Sequence, residues 1–231
     1  GSVPGCETVG EGWNREAIKA KTAKALEEAR YLVDRGYPKD SAVRFISNHH
    51  RLADEERFIL MRVIVKSDVA RIRRSRMQKL EDLKDQVIFI DGYNVLITTE
   101  SVLGGHPVYS CDDGFLRDSR GIFRSYKISS LTALALNQIL DLLAQAGPAR
   151  TEVLLDQQMS RSGEMAEMIK GMMAERHLCG TARTARDVDR LLKATRGIVL
   201  TSDGNVIDSL DHVMDLPREI ARRSGIRPMT L

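Results

Sequence analysis

Apolar residues recur at helical spacing from Asn14 onward, at Ile18, Ala25, Ala29, Leu32 and Val33, until Gly36-Tyr37-Pro38 breaks the pattern. That spacing gathers them on one face of a first helix. A second helix carries Val43, Phe45 and Ile46 behind a cap at Asp40 or Ser41, and a third runs from a cap at Asp54 through Phe58, Met61, Val65 and Val69. The third can restart at Ser67-Asp68 and continue to Leu83, with Ile72, Leu80 and Leu83 on its apolar side. After Lys84-Asp85 the pattern changes. Val87-Ile88-Phe89-Ile90 is a short unbroken apolar run ending at Asp91-Gly92, as expected of a strand buried on both faces. A helix over residues 129–146 is closed by Gly147-Pro148, and a second apolar run, Val153-Leu154-Leu155, ends at Asp156. Helices are expected over 162–175 and 187–195, before a third run, Ile198-Val199-Leu200, which leads to Asp203. Strands alternating with helices predict a parallel sheet covered by helices on both faces, an α/β fold. The expected organisation is a disordered tail over residues 1–12, an N-terminal all-helical basic domain over 13–86, and an α/β domain over 87–231.

At 231 residues, the chain is long enough for two cores. Its 42% hydrophobic and 29% charged composition belongs to a soluble globular protein and excludes wholesale disorder or a fibrous class. No apolar run is long enough to cross a bilayer, and the amino terminus lacks a basic region followed by an apolar one, so no membrane association is expected. Cys6, Cys111 and Cys179 lie far apart without paired metal spacing, which argues against structural zinc and a disulfide framework and for a cytoplasmic protein. The net charge of +3 says little, but its distribution says more. Arg57, Arg62, Lys66, Arg71, Arg73, Arg74, Arg76 and Lys79 face a single acid, Asp68, within one stretch. A solvated helix surface would look the same; as a functional feature, Arg71, Arg73, Arg74 and Arg76 are candidates for salt-dependent RNA binding.

The candidate chemistry lies at the strand ends. Asp91, Asp156 and Asp203 each follow a predicted strand, and strand carboxyl ends in a parallel sheet share one edge, where ligands bind. Any one of them could simply cap a turn or helix. Three carboxylates in one crevice repel one another unless a cation neutralises them, and an all-oxygen site suits Mg²⁺ or Mn²⁺. Asp187 and Asp189, just before the third strand, could add a fourth ligand or merely favour the first turn of a helix. The segment from Leu103 to Lys127 is long for a connection. Within it Phe115, Phe123 and Tyr126 alternate with Arg117, Arg120, Arg124 and Lys127, a mix that stacks bases and contacts phosphates, although a mobile surface loop would fit as well. Arg161 sits at a predicted helix start, where free N–H groups can hold a phosphate. His49-His50 reads as surface or packing. No phosphate-binding GxxxxGK[ST] loop, GxGxxG turn or GxSxG elbow is present.

Asp91-Gly92-Tyr93-Asn94-Val95-Leu96 after the first strand and Thr201-Ser202-Asp203 after the last resemble the two end motifs of PIN/NYN-type ribonuclease domains. The resemblance covers roughly residues 87 to 215, and the whole chain resembles an uncharacterised, mainly archaeal family in which a helical domain precedes such a PIN-like domain. It implies a PIN-like parallel sheet and phosphodiester hydrolysis with Mg or Mn. RNA would be the substrate, with single-stranded DNA second, and a homodimer is compatible with it. It further implies that Asp91 and Asp203 are metal ligands, that Asp156 and one of Asp187 or Asp189 complete the ring, and that Asn94 orients Asp91 or a phosphate. Many such nucleases also place an acid in the first long helix after the first motif. Here residues 129–146 offer only Asp141, and Asp112, Asp113 or Asp118 could substitute for it. The alternative is a PIN-like fold without turnover, serving as an RNA-binding or assembly module.

Overall fold

The computed structural model describes residues 15–231, with side chains from Ala20 onward except that of Arg124. The expected tail over 1–12 and the Arg124 side chain lie outside the described residues. The chain divides into two compact units, one ending at Met61 and the other running from Arg62 to Thr230.

The first unit holds α1 (Arg15–Asp34), α2 (Lys39–His49) and most of α3 (Asp54–Val63). Ala25, Leu26, Ala29 and Val33 bury one stripe of α1, and Ala42, Val43 and Ile46 bury one stripe of α2. Neither Asp40 nor Ser41 caps α2. Pro38 occupies that position, with φ −57° and no side-chain bond, so Asp40 falls within the first turn. Phe45, though counted in the apolar pattern, is exposed. His50 Nε2 lies 2.6 Å from Glu28 Oε2, which makes it a packing pair rather than part of a histidine site.

The second unit is an α/β structure around a five-stranded parallel sheet of order β5-β4-β1-β6-β7. Its strands are β1 (Val87–Asp91), β4 (Arg150–Asp156), β5 (Gly180–Ala185), β6 (Ile198–Leu200) and β7 (Val213–Met214). The continuous apolar runs feed two cores, because successive side chains point to opposite faces. Ile88, Ile90, Val153, Leu155, Ile198 and Leu200 pack with α5 (Gly92–Leu103), α6 (Ser130–Ala146), α7 (Ser162–Glu175) and α10 (Leu216–Arg223). On the other face, Leu154 and Val199 pack with α8 (Val188–Lys193) and α9 (Gly204–Ile207). α6 starts at Ser129, whose hydroxyl accepts from Leu131 N, and ends at Gly147 in the left-handed conformation, which costs glycine no Cβ clash.

Four elements differ from the sequence expectation. The helix expected to reach Leu83 stops as α4 (Ser67–Ser75), and residues 76–78 then run beside β7, with Gln78 N donating to Val213 O at 2.7 Å and Val213 N to Arg76 O at 3.1 Å. Helix α5 follows β1 directly; it is buried on nearly every side, so it offers no amphipathic period to detect. The supposed long loop contains a hairpin of β2 (Val108–Ser110) and β3 (Leu116–Asp118). Edge strand β5, with the sequence GTARTA, buries only Ala182 and Ala185 and so lacks an apolar run. The units therefore divide well before the change of pattern near residue 86. The strand-like segment after α4 hydrogen-bonds to the β7 edge, and α4 itself is tied to the same unit through Arg73, which binds Asp113 and Asp208.

Candidate acidic site

Parallel pairing fixes where the strand-end acids stand. Asp91 lies opposite Leu154 of β4, and Ile90 lies opposite Leu200 of β6. Asp156 and Asp203 therefore project past the end of the central strand on either side of it. At about 4.8 Å between strands and 3.3 Å per residue, the Cα atoms of Asp91 and Asp156 stand roughly 8 Å apart. Leu154 and Asp156 are two residues apart, so Asp91 and Asp156 share the sheet face covered by α8 and α9. Asp189 lies on α8, over that same face.

Each of the three strand-end acids commits one oxygen to a local bond. Asp91 Oδ2 accepts from Thr201 Oγ1 at 2.8 Å, Asp156 Oδ1 from Gln158 N at 2.8 Å, and Asp203 Oδ1 from Asn205 N at 2.8 Å and Val206 N at 3.2 Å. These bonds orient the carboxylates and leave Asp91 Oδ1, Asp156 Oδ2 and Asp203 Oδ2 without a hydrogen bond among the described residues. Gly92 permits the close junction of β1 and α5, since a Cβ there would come within 2.5 Å of Leu155 Cδ2 and 2.7 Å of Leu154 O.

The charges act on one another. Burial pushes the Asp91 carboxyl up to about 7; the Thr201 bond opposes the rise, and the neighbouring Asp203, Asp189 and Asp156 add to it. Burial also raises Asp189, with Asp203 the next cause. Asp187 instead caps α8, its Oδ1 accepting from Arg190 N at 3.0 Å. Asp189, rather than Asp187, is thus the α8 acid that acts on Asp91. Among the described residues, no group of three or more His, Cys, Asp or Glu side chains is arranged to hold one metal ion directly. Asp91, Asp156, Asp189 and Asp203 therefore act on one another through their charges without forming a closed chelate. Such a donor set fits Mg²⁺, which commonly takes one or two carboxylates and keeps several waters. It fits structural zinc poorly.

The Asn94 carboxamide is committed at its oxygen to neither Asp91 nor an open position. Its Oδ1 accepts from Ser202 N at 2.9 Å and Ser202 Oγ at 3.2 Å, tying the first motif to the last. The alternative acids are engaged elsewhere. Asp141 pairs with Arg176, Asp118 with Arg62, Asp113 with Arg73 and Arg117, and Asp112 Oδ2 accepts from Val65 N. The helix that does follow the first motif carries Glu100, and this acid is buried against Tyr126 Oη at 2.6 Å and Thr132 Oγ1 at 2.8 Å.

Several candidate phosphate contacts already have partners within the chain. Arg73 is bound to Asp113 and Asp208, Arg74 to the Asp112 carbonyl, and Arg76 to Ile207 O at 3.0 Å. Arg117 is buried on Asp113, and Arg120 donates to Ser101 Oγ at 2.8 Å and Ile97 O at 3.1 Å. A guanidinium already satisfied by a fixed partner has little to offer a phosphate. Phe115 and Tyr126 are core residues of a packed hairpin and its continuation, whereas Phe123 is exposed. Arg71 and Lys127 are exposed, and Arg161 is exposed and paired with Glu164. Arg186 and Arg190, which sequence reasoning passed over, are exposed at the sheet edge that carries the acids: Ala185 pairs with Asp156, and Arg186 comes next in the chain.

Tyr93 is 2% exposed, and its hydroxyl finds no hydrogen-bond partner among the described residues. Burial pushes it up to about 12, with the Asp156 charge adding. Its ring meets Tyr126 and Phe123 edge-on at 5.5 and 6.2 Å. Because no bond is lost, Tyr93→Phe is expected to leave stability unchanged or raise it by up to about 1 kcal/mol in urea unfolding. A loss above about 1 kcal/mol would show that the hydroxyl has a partner in solution.

Residues 22–76 match a family described as a protein of unknown function (DUF434), and residues 80–219 match a family described as a domain of unknown function (DUF5616). An uncharacterized protein of Methanocaldococcus jannaschii is 33% identical over 198 residues, covering 85% of this chain and 94% of that protein. No solved structure matches significantly. Among the described residues, no helix is long and apolar enough to cross a membrane.

Proposed function

The chain belongs to the DUF5616 family, and we propose that it is a metal-dependent nuclease with a PIN/NYN-like domain, hydrolysing phosphodiester bonds in RNA. The observation that carries this reading is Asp91: a buried carboxyl at the end of the central strand, raised to about 7 by burial and by three neighbouring acids, Asp203, Asp189 and Asp156. Acids gathered this way cost stability unless they serve a cation. Asp91, Asp156, Asp203 and Asp189 would hold Mg²⁺ or Mn²⁺ through their uncommitted oxygens and through water. When bound, the ion supplies an acidified water and charge neutralisation at the departing oxygen.

The chain's own residues do the positioning. Thr201 holds Asp91 while accepting from Asp203 N at 3.1 Å, so one hydroxyl couples the two acids. Asn94 fixes Ser202 between them. Arg186 and Arg190 are the exposed cations best placed along the sheet edge to meet a phosphate backbone. The serine among the acids, Ser202, has its hydroxyl donating to Asn94 Oδ1 at 3.2 Å rather than to a base, which favours direct attack by water over a covalent intermediate.

One observation favours a second reading, a PIN-like RNA-binding or assembly module without turnover: the acids stand staggered, with no closed chelate. Incubating the full chain with end-labelled RNA and single-stranded DNA separates the two. Cleavage that needs Mg²⁺ or Mn²⁺ and is lost in Asp203→Asn is the expected result. Tight RNA binding without cleavage in either metal would replace the nuclease by the binding module.

A further inference from the structure

We propose that Arg73 and Arg117, joined through the shared carboxylate of Asp113, form a brace that fixes the turn over residues 202–204 and thereby sets where Asp203 stands. The inference rests on the reading of Asp203 as a site acid. Asp113 is fully buried, and its two oxygens accept from Arg117 Nη1 and Nη2 at 2.8 Å each. Arg73 Nη1 adds a third bond at 2.9 Å. The remaining edge of Arg117 turns toward the site, with Nε donating to Ser202 O at 2.9 Å. Asn94 holds Ser202 N from the other side at 2.9 Å. The residue before Asp203 is thus held at both its N–H and its carbonyl.

Arg73 secures the chain on the far side of Asp203. Its Nε and Nη2 grip both oxygens of Asp208, at 2.7 and 2.8 Å, where α9 ends. Its guanidinium also closes against Gly204, where a Cβ would stand 2.6 Å from Nη2 and 2.8 Å from Nη1. That guanidinium cannot swing aside without losing a two-bond grip, so glycine at 204 is a fitted contact. The helix Asp203 caps is therefore held at both ends. Two arginines and two aspartates make the brace neutral, so it acts on Asp203 through geometry rather than added charge.

The brace also joins the two matched regions. Arg73 lies within residues 22–76, whereas Asp113, Arg117, Ser202 and Asp208 lie within residues 80–219. All of them fall in the compact unit that begins at Arg62. The first matched region thus supplies a positioning residue to a site whose acids all come from the second.

The test uses the full chain with Gly204→Ala, Arg73→Gln, Arg73→Lys and Arg117→Met. Amide hydrogen exchange is followed at Asn205 and Val206, whose N–H groups donate to Asp203, alongside Mn²⁺ affinity by calorimetry and global stability in urea. Exchange at these two amides should rise at least tenfold in Gly204→Ala and Arg73→Gln, and Mn²⁺ affinity should fall at least tenfold. Core amides of β1 and β4 should keep wild-type protection. Arg73→Lys keeps the charge but loses the fork, and should recover little. Unchanged exchange at Asn205 and Val206 in folded Gly204→Ala and Arg73→Gln, or a rise matched throughout β1 and β4, would overturn the brace. A wild-type chain that binds no Mn²⁺ would overturn the metal reading instead and leave the exchange test intact. Should Arg117→Met not fold, the Arg73 and Gly204 variants decide alone.

Discussion

Asp91→Asn is expected to stabilise the metal-free chain at pH 8 and to lower metal-dependent cleavage by about 10²- to 10³-fold, the size of effect typical when one preorganised electrostatic group is removed. The carboxyl's folded pKa of about 7 lies above its ordinary 3.8. Between those values the folded chain binds the proton more tightly than the unfolded chain, so stability is lost as pH rises through that window. The asparagine escapes that loss, and its amide oxygen can still accept from Thr201. Its advantage should be absent below about pH 4, grow toward pH 7, and level off above it at on the order of 2–4 kcal/mol. Urea unfolding with a chelator, measured from pH 4 to 8, reads the difference. Added Mg²⁺ should reverse the order by stabilising only the wild type, by about 2.7 kcal/mol at a hundredfold excess over its dissociation constant. If the variant is less stable at every pH, or responds to Mg²⁺ as the wild type does, Asp91 is not the charge-strained centre of the site.

The acids were legible in the sequence because each ends an apolar run in a buried parallel strand, a local signal that topology then brings to one edge. β1, β4, β6 and α7 announce themselves through such runs or through periodic apolar spacing. The missed elements lack either signal. α5 is apolar nearly all round, β5 buries only two alanines, and the β2-β3 hairpin gains its place from Phe115 and Leu116 entering two different cores. The arginines were harder still. Arg117 beside aromatic residues suggests nucleic acid until Asp113 is seen to take both its terminal nitrogens, and Arg73 finds Asp208 across 135 residues. Charge counts along the chain show how many cations there are but not which are already satisfied. The bond from Ser202 N to Asn94 Oδ1 was hidden for the same reason, since the two residues lie 108 apart in sequence.

Asp113→Asn should have the opposite sign, with a loss of about 3–5 kcal/mol at neutral pH, because removing one member of a buried ion pair leaves the other charge uncompensated. Arg117 is 5% exposed and cannot turn to water, whereas Asp113 is 0% exposed and holds both arginines. Desolvation pushes the Asp113 carboxyl upward, but the bonds and charges of Arg117, then Arg73, prevail and hold it below the ordinary carboxylate range. The stabilisation it gives is therefore present above the unfolded value of 3.8 and is lost only as pH falls through the lower folded pKa. The Asn variant's deficit should stay constant from pH 8 to 5 and shrink only in strong acid, unlike the Asp91 difference, which disappears by about pH 4. The double variant Asp113→Asn with Arg117→Met should recover much of the loss by removing the stranded charge, while Arg73 keeps Asp208. Urea unfolding of the three proteins provides the measurement. A single-variant cost below about 1 kcal/mol, the range of an exposed ion pair, would mean that the buried pair does not hold this part of the fold.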